Sequence, residues 1–495
     1  MKAVSCNNFI KKLYDFIEKY YYAFFIIIIL IAGMNVFNNI SLHPFADWDE
    51  ARHGVNAYEM IRNNNYIVNT YNGVNDYWNL KPPLSYWVII AGYKIFGYNA
   101  LGLRFFSGIF AVLTIILIGL FTKHKHGKLA SLIASSVLTT STQFIIFHSA
   151  RTGDADALFV LLFTIAMLSM LLIRENIKWM YIAGLAFSLA FLTKSWHALT
   201  IVAIGGLYLL ITGKLFKIKL KEFIIFILSS TILILIWVVV RYTQDGMLFI
   251  KEMIRYDLLK RSANPIEGHV GDIYFYFDVL KVYYFYWIVL FFGVFIGYLA
   301  INETKEYKNK SSYTLGIILW IMLPFLLFTK AKTKLPWYII PIFPPLAICL
   351  GSFANKLMKE KYRNVPLQLV IIFSLVLCLF VNEQMIYKYT RNYQTDDVQN
   401  ILSEFKNRKD YNGEKIYIVN DTVLSNNHEW SQKHFLAAQL YGDFYPTKGG
   451  LEGFLNDTNP KSLIIITKDD NSKNIKDKYN LKILYENNSN YVFIK

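Results

Sequence analysis

The sequence predicts a polytopic α-helical membrane protein of about eleven transmembrane helices, followed by a small C-terminal α/β domain. Its 495 residues are 55% hydrophobic and only 17% charged, whereas a soluble globular protein has about 25% charged residues. Apolar runs near the roughly 20 residues that cross a bilayer recur throughout residues 1–381. The net charge of +16 also lies entirely in that part, because residues 382–495 hold 15 basic and 15 acidic side chains. The composition therefore excludes a soluble enzyme, a disordered chain and a disulfide scaffold.

The predicted spans follow from the apolar runs. In chain order they cover residues 21–37, 101–121, 129–148, 157–173, 179–193, 197–212, 222–241, 282–301, 313–329, 337–354 and 365–381. With a cytoplasmic N-terminus, the inside segments hold 20 Lys and Arg in 62 residues, and the outside loops hold 14 in 121. This bias follows the positive-inside rule. We therefore expect a multi-pass protein of the inner (cytoplasmic) membrane whose C-terminal domain lies outside.

Two regions outside the spans have a predicted structure of their own. The external loop 38–100 contains the apolar segment 84–97, which is too short to span a bilayer and is expected to lie in the outer interface. The C-terminal domain, 382–495, contains a helical segment and four short β-branched or aromatic runs typical of strands. The helix is expected at 434–442, and the strands at 415–419, 462–467, 481–486 and 490–495. The predicted domains are therefore a catalytic membrane domain over 1–381 and an extracytoplasmic domain over 382–495.

The first outside loop concentrates ionisable residues directly after the first span. Five of them fall within seven residues: Asp47, Asp49, Glu50, Arg52 and His53. A carboxylate in this position can serve as a general base, a metal ligand or the partner of an arginine. The alternative is an ordinary solvated loop of mixed charge.

The other outside loops add acids and bases on the same side of the membrane. They contribute Arg151, Asp154 and Asp156, then Lys194 and His197, then Arg255, Lys260, Arg261 and His269, and finally Lys330, Lys332, Lys334 and Tyr338. Three lysines in one outside turn oppose the positive-inside bias and indicate an anionic ligand, with attraction to lipid headgroups as the alternative. A transporter would place its ionisable groups near the bilayer midplane instead. The pattern therefore favours interfacial chemistry on a substrate with an anionic head and a lipid tail.

Three motifs resemble those of a known family. The acidic pair Asp49-Glu50 after the first helix resembles the polytopic C-type glycosyltransferases. The KPPL segment at 81–84 and the KLPWY…P…P segment at 334–345 are similar to those of the bacterial aminoarabinose transferases that modify lipid A and of the protein O-mannosyltransferase-like family. The resemblance covers roughly residues 20–355.

The resemblance implies roles for particular residues. Asp49 matches the family's first-loop catalytic aspartate, and Asp156 matches the second aspartate, with Asp154 as a close competitor. The implied catalytic set is Asp49, Asp156, Glu50 and Asp154, and the implied set that binds the donor phosphate is Arg52, Lys81, Tyr338, Lys332 and Lys334. Leu80 stands where the aminoarabinose branch often has a glutamate, which weakens a metal site there and leaves the sugar open.

The implied activity is transfer of a hexosyl or pentosyl group from a polyprenyl-phosphate-sugar donor to a lipid A-like lipid, a protein or another glycan outside the membrane. Basic side chains would stabilise the leaving phosphate, and one displacement with Asp49 as base would invert the anomeric centre. The expected partners are the donor, the acceptor and membrane lipids, with no nucleic acid. No cofactor is assigned, and a divalent cation is left open. A transporter or flippase of lipid-linked sugars and an oligosaccharide ligase stay open as alternative functions.

Overall fold

The computed structural model describes residues 2–301, 311–359, 365–406, 408–419, 430–468 and 472–495. Helices α1 to α18 build the larger part and cover Lys2–Lys19, Tyr21–Phe37, Asp49–Arg62, Leu84–Phe96, Ala100–His126, Lys128–Thr139, Thr142–Ile146, Asp156–Leu172, Trp179–Lys194, Leu199–Ile211, Leu220–Asp245, Leu248–Glu252, Arg261–Ala263, Phe275–Tyr283, Phe285–Ile301, Ser311–Lys330, Phe343–Lys359 and Val365–Arg391. Short 3-10 helices lie at Ser195–Ala198, Leu215–Lys217 and Pro336–Ile342, and a π-helical segment covers Met253–Lys260.

Length and hydropathy identify the helices that can cross a membrane. Among the described residues, six stretches are long and apolar enough, or up to eight if two bent helix pairs each form one span. The bent pairs are α1 with α2, at 76°, and α14 with α15, at 96°. Helices α4, α6 and α8 are apolar but shorter. The chain is a multi-pass membrane protein, as predicted, while the total of eleven spans and the inside-outside orientation stay predictions.

One of the six stretches, Trp179–Ile211, reverses direction at Ser195. Lys194 at the end of α9 pairs with Asp156 at the start of α8, whereas Tyr208 near the end of α10 shares a cavity with Leu171 near the end of α8. As one straight helix, its 33 residues would extend about 50 Å, beyond the roughly 30 Å of the hydrocarbon core. Helices α9 and α10 therefore each run the length of the bundle in opposite directions.

Small residues allow close helix packing inside the bundle. A Cβ added at Gly351 of α17 would lie 2.4 Å from the carbonyl oxygen of Ala130 in α6. Such contacts let the backbones of membrane helices approach closely, where van der Waals packing holds them together. Trp287 and Trp320 are fully buried in the same core.

The C-terminal part folds as the predicted small α/β domain. In the external loop, a short hairpin pairs β1 (Thr70–Tyr71) with β2 (Val74–Asn75). Strands β3 to β7 of the domain cover Lys415–Val419, Tyr445–Pro446, Leu463–Thr467, Lys482–Glu486 and Asn490–Ile494, and helices α19 to α22 cover Asp397–Ser403, Gln432–Gly442, Gly450–Asn456 and Ser472–Tyr479. The sheet order is β4-β3-β5-β7-β6. Strand β3 is parallel to β4 and β5, and β7 is antiparallel to β5 and β6.

The domain packs directly on the first external loop. Val55 and Tyr58 of α3 share a buried core with Phe435 and Leu436 of α20. Residue 382, where the domain was predicted to begin, lies inside α18, which continues to Arg391. The helix α3 is therefore enclosed between the membrane bundle and the C-terminal domain.

Candidate active site

A cavity with about 850 Å³ of empty space lies where the first external loop meets the ends of several membrane helices. Its lining is dominated by ionisable side chains. The acids are Asp47, Asp49, Asp154, Asp156, Asp257 and Glu267, the bases are Lys81, Lys194 and Arg261, and the histidines are His53, His148, His197 and His269. The structure thus brings together predicted residues from five separate outside loops.

Asp49 is the first residue of α3 and is half-buried at the cavity wall. The N-terminus of a helix favours a negative charge. Burial raises the pKa of Asp49, but the positive charges of Lys81 and His148 outweigh burial and hold the pKa below its usual value. Asp49 is therefore a carboxylate at neutral pH.

His53 lies one turn further along α3 and also lines the cavity. Its Nδ1 lies 2.7 Å from the carbonyl oxygen of Asp49, so the nitrogen that donates to this oxygen is Nδ1. Burial lowers the pKa of His53 more than the charge of Asp49 raises it. In the neutral ring Nε2 is therefore a hydrogen-bond acceptor. The described part of the chain offers this atom no hydrogen-bond partner.

The second acidic turn is held by a network of its own. Asp154 accepts hydrogen bonds from the Thr152 hydroxyl at 2.8 Å and from the backbone N–H of Asp156 at 3.0 Å. His148 lies 3.2 Å from the same carboxylate and stacks on Trp337 with ring centroids 3.5 Å apart. Burial raises the pKa of Asp154, but His148 and these hydrogen bonds lower it to about 2.

Asp156 and Lys194 form a buried ion pair at the base of the cavity. Asp156 begins α8 and Lys194 ends α9, so each charge complements the dipole of its own helix. The ammonium group of Lys194 also lies 5.4 Å from the ring centroid of Tyr338. This pair fixes the relative height of the two helix ends.

Asp257 and Arg261 line another side of the cavity. Asp257 accepts a hydrogen bond from the Ser195 hydroxyl at 2.8 Å and pairs with Arg261 at 3.1 Å. Arg261 donates to the hydroxyl oxygen of Tyr338 at 3.4 Å. Burial raises the pKa of Asp257, but the positive charges of Lys81 and Arg261 outweigh burial, and the net pKa is below its usual value. Lys81 therefore acts electrostatically on both Asp49 and Asp257.

Two predicted residues of the first loop lie outside the lining. Glu50 is buried and pairs with Arg104 at 2.7 Å, and it also accepts the backbone N–H of Gly153 at 2.8 Å. Arg52 forms a bidentate salt bridge with Asp76, with both hydrogen bonds at 2.7 Å. Both residues thus already have partners within the protein, and their catalytic and phosphate-binding roles stay untested predictions.

The lysines of the last outside turn also lie away from the lining. Lys332 is exposed. Lys334 is buried, and its ammonium group donates to the carbonyl oxygens of Asp272 at 2.6 Å and Thr329 at 2.8 Å. Thr329 is in the last turn of α16, so Lys334 caps that helix end. Tyr338, from the same motif, does line the cavity.

The sequence predicts no specific role for several residues that line much of the cavity: His53, His148, Lys194, Asp257 and Arg261. One sequence pattern could have indicated the ion pair of Asp257 and Arg261. Their spacing of four residues places an acid and a base on one helical face. For His148 and Trp337, no local pattern indicates that two residues so far apart in sequence stack on each other.

Three residues that lie in or next to the lining of the site have a strained backbone conformation. Trp48, His148 and Ser195 have positive φ values of 62°, 54° and 44°, which is uncommon for residues other than glycine. Trp48 directly precedes Asp49, and Ser195 directly follows Lys194. Such strain tends to cluster at functional sites, where the surrounding structure holds it.

Three side chains of the cavity could hold a cation. Ligand atoms of His148, Asp154 and Asp156 lie within 4.8 Å of one another, and carboxylate with imidazole suits several divalent metals. Lys194 already balances the charge of Asp156, so the cluster is compensated without an ion. A divalent cation stays a prediction.

Comparison with known proteins places this cavity in a recognised fold. Over 95% of its length, the chain superimposes on ArnT from Cupriavidus metallidurans bound to undecaprenyl phosphate, with a TM-score of 0.64, 13% identity and 98% of ArnT covered. The fold is that of ArnT. An Archaeoglobus fulgidus oligosaccharyltransferase also aligns, with a TM-score of 0.53 and 12% identity over 93% of this chain and 71% of that one.

Sequence comparison agrees with the ArnT fold. The dolichyl-phosphate-mannose-protein mannosyltransferase family matches residues 80–242. An undecaprenyl phosphate-alpha-4-amino-4-deoxy-L-arabinose arabinosyl transferase of Edwardsiella ictaluri is 28% identical over 321 residues, which is 63% of this chain and 56% of that enzyme. The chain thus spans less than two thirds of that relative. The predicted resemblance to C-type glycosyltransferases is confirmed, and the transporter alternative gains no support.

Proposed function

We propose that this protein is a membrane glycosyltransferase that transfers a sugar from a polyprenyl-phosphate-linked donor to an acceptor at the membrane surface. One observation carries the proposal: carboxylates and cations from distant loops converge on a single cavity, in a chain that shares the fold of ArnT. A donor with a phosphate head needs the cations, and an acceptor hydroxyl or amine needs a carboxylate base. The lysine, arginine and aspartate side chains that line the cavity provide both the cations and the carboxylate.

We propose that the donor phosphate binds beside Lys81, Arg261 and Tyr338. Lys81 lines the cavity and lowers the pKa of both Asp49 and Asp257, and Arg261 donates to the Tyr338 hydroxyl oxygen. Preorganised cations stabilise the negative charge that develops on the leaving phosphate. This assignment replaces Arg52, whose guanidinium is held by Asp76, with Arg261.

Asp49 is the proposed base. Its carboxylate accepts the proton of the acceptor as the acceptor atom bonds to the anomeric carbon. The bond from that carbon to the phosphate oxygen breaks in the same displacement, and polyprenyl phosphate leaves with the electron pair. A single displacement of this kind inverts the anomeric centre. Asp154 and Asp156 are already tied to His148 and Lys194, which suits them to positioning rather than to proton transfer.

The donor class is taken from the relatives. The Edwardsiella enzyme is named for undecaprenyl phosphate-alpha-4-amino-4-deoxy-L-arabinose, and the family that matches residues 80–242 is named for a dolichyl-phosphate-mannose donor and protein acceptors. We therefore propose an undecaprenyl-phosphate-linked hexose or pentose as donor, with a lipid A-like lipid as the first acceptor to test and protein as the second.

Replacement of Asp49 tests the function. The protein is reconstituted in vesicles with an undecaprenyl-phosphate-linked sugar and a lipid A acceptor, and product is followed by mass spectrometry. Asp49→Asn keeps the shape of the side chain and removes the base, so turnover should fall by roughly 10²-fold or more while donor binding persists. The matched control is Asp278→Asn on the exposed face of α14, which should leave turnover unchanged. Near-normal turnover of folded Asp49→Asn would exclude the assigned base.

Lys81→Ala in the same assay tests the phosphate site. Loss of a charge-assisted contact should weaken donor binding by about 1.5–3 kcal/mol and leave the dependence on acceptor unchanged. Lys332→Ala, at an exposed lysine outside the cavity lining, is the control. An effect of Lys81→Ala on the acceptor alone would assign this wall of the cavity to the other substrate.

A further inference from the structure

A second polar cavity lies at the opposite end of the helical bundle. It has about 1350 Å³ of empty space and is bounded by the last residues of α5, α8, α10 and α17 and the first residues of α16. The candidate active site lies at the other ends of α8 and α10, beside Asp156 and His197. The two cavities therefore face opposite membrane surfaces.

The rim of this second cavity is strongly cationic. Lys125, Arg174, Lys356 and Lys359 line it, against the single acid Glu175 among the described lining residues. Glu175 is already paired with Lys125 and lies 3.1 Å from His124. Among the described lining residues, the four basic side chains at the ends of α5, α8 and α17 therefore outnumber the acids.

The crowding of charge extends behind the rim. Lys214 follows α10, and burial together with the nearby guanidinium of Arg174 lowers its pKa to about 8. Lys356 rests over the Tyr298 ring at 4.6 Å and donates to the Tyr298 hydroxyl oxygen at 2.9 Å. Both lysines contact tyrosine side chains, so the described residues of the rim keep a net positive charge.

The floor and wall of the cavity are ordered and partly apolar. Leu171, Tyr208 and Tyr313 form the floor. Along the wall, the amide of Asn355 donates to the His126 carbonyl oxygen at 2.6 Å, and the His126 ring contacts the hydroxyl of Tyr313 at 2.8 Å. A cationic rim above an apolar floor, between membrane helices, matches a ligand with an anionic head and an acyl chain.

We propose that this cavity binds the phosphate headgroup of an anionic phospholipid. Basic pockets between transmembrane helices on the cytoplasmic side suit such headgroups. The site is separate from the proposed transfer chemistry and does not depend on it. A bound phosphate would neutralise the cations that α8 and α17 bring together, so the lipid should stabilise the bundle.

The test compares two matched triple variants of the full chain. Arg174→Gln, Lys356→Gln and Lys359→Gln together remove three charges from the rim. Lys178→Gln, Lys217→Gln and Lys221→Gln together remove three exposed lysines at the same end that do not line the cavity. Each protein is placed in vesicles of phosphatidylcholine alone or of an equimolar mixture with phosphatidylglycerol. The readouts are the thermal unfolding midpoint and the lipid that remains bound after extraction, measured by mass spectrometry.

The unmutated protein and the control should retain phosphatidylglycerol and unfold at a higher temperature when it is present. The rim variant should lose both effects, with roughly tenfold or more less lipid retained, because its three cations line the cavity and each basic residue beside an anionic headgroup contributes about a fivefold factor, whereas the control lysines do not line the cavity. Equal retention by the two triple variants would overturn the proposal. Stabilisation by inorganic phosphate in phosphatidylcholine vesicles, without retained lipid, would overturn it in favour of a soluble anion. If the triple variant fails to fold, Lys359→Gln at an exposed position is measured in the same way and should retain less lipid than Lys217→Gln.

Discussion

At the scale of single residues, two adjacent acids of one motif have different surroundings. Asp49 faces the cavity, while Glu50 points into the protein and pairs with Arg104. Neighbouring residues on a helix are about 100° apart around its axis, so the two carboxylates of this Asp-Glu pair point in different directions. The motif predicts that a carboxylate is present, and only the fold decides which one reaches the cavity.

Glu50 and Arg104 together connect the two acidic turns. Glu50 accepts the N–H groups of Ala46 at 2.7 Å and Gly153 at 2.8 Å, and Arg104 donates to the carbonyl oxygens of Ile40 and His43 at 2.8 Å. The pair therefore ties the loop that carries Asp49 to the turn that carries Asp154. No pattern in the sequence predicts this, because Arg104 lies within an apolar helix.

Removal of Arg104 should be strongly destabilising. Arg104→Met leaves the Glu50 carboxylate buried and unpaired, which should cost about 3–5 kcal/mol. The control is Arg255→Met, because Arg255 pairs with Glu252 on the surface with 77% of its side chain exposed, and such pairs contribute about 0–1 kcal/mol. Unfolding in detergent measures both free energies. Similar small losses in the two variants would show that the Glu50–Arg104 pair does not hold the loop.

The low pKa of Asp154 predicts an acid dependence of stability. The folded pKa is about 2, against an ordinary value of 3.8, so the folded state binds the proton more weakly than the unfolded state. The stabilisation is present above about pH 4 and is lost as the pH falls through about 2. Asp154→Asn should flatten this part of the stability curve, whereas Asp278→Asn should not. The unfolding midpoint is measured from pH 5 downwards, and parallel curves for Asp154→Asn and the unmutated protein would contradict the prediction.

At the scale of elements, the apolar runs locate most helices because burial in lipid demands a long hydrophobic stretch. The strands of the C-terminal domain are also predicted to within a residue or two, since short β-branched runs bounded by turn residues have few alternatives. The two-residue strand Tyr445–Pro446 was not predicted, because it is too short to show a pattern. The cavity was also not predictable as a whole, because its walls come from segments separated by up to about 290 residues.

The backbone before α3 gives an element-scale prediction. Trp48 has φ 62° and ψ −117°, a conformation that glycine adopts without strain and that costs other residues about 1–3 kcal/mol. Trp48→Gly and Trp48→Ala both remove the exposed ring, but only glycine relieves the strain. Trp48→Gly should therefore be more stable than Trp48→Ala by about 1 kcal/mol or more, measured by thermal unfolding. The reverse order would show that the entropy that glycine adds to the unfolded chain exceeds the strain it relieves.

At the scale of the whole molecule, the C-terminal domain supports the helix that carries Asp49. The amide of Gln439 donates to Glu59 at 2.9 Å, and Asp443 pairs with Arg62 at 2.9 Å and accepts from the hydroxyl of Tyr58. Glu59 in turn accepts the N–H groups of Asn72 and Gly73 in the β1–β2 turn. The domain thus holds the outer loop from the side opposite the membrane bundle.

Leu436 provides a test of this support, because it packs against α3 so closely that a Cβ added at Gly54 would lie 2.8 Å from its side chain. Leu436→Ala should cost about 2–5 kcal/mol and speed amide hydrogen exchange in residues 49–62. The matched control is Leu481→Ala, a buried leucine in the core on the other face of the same sheet. It should destabilise the domain by a similar amount and leave exchange in α3 unchanged. Hydrogen exchange followed by mass spectrometry separates the two outcomes. If both variants, or neither, loosened α3, the domain would not act through this contact, and its effect on the active site would have to pass through the Asp443 and Gln439 pairs instead.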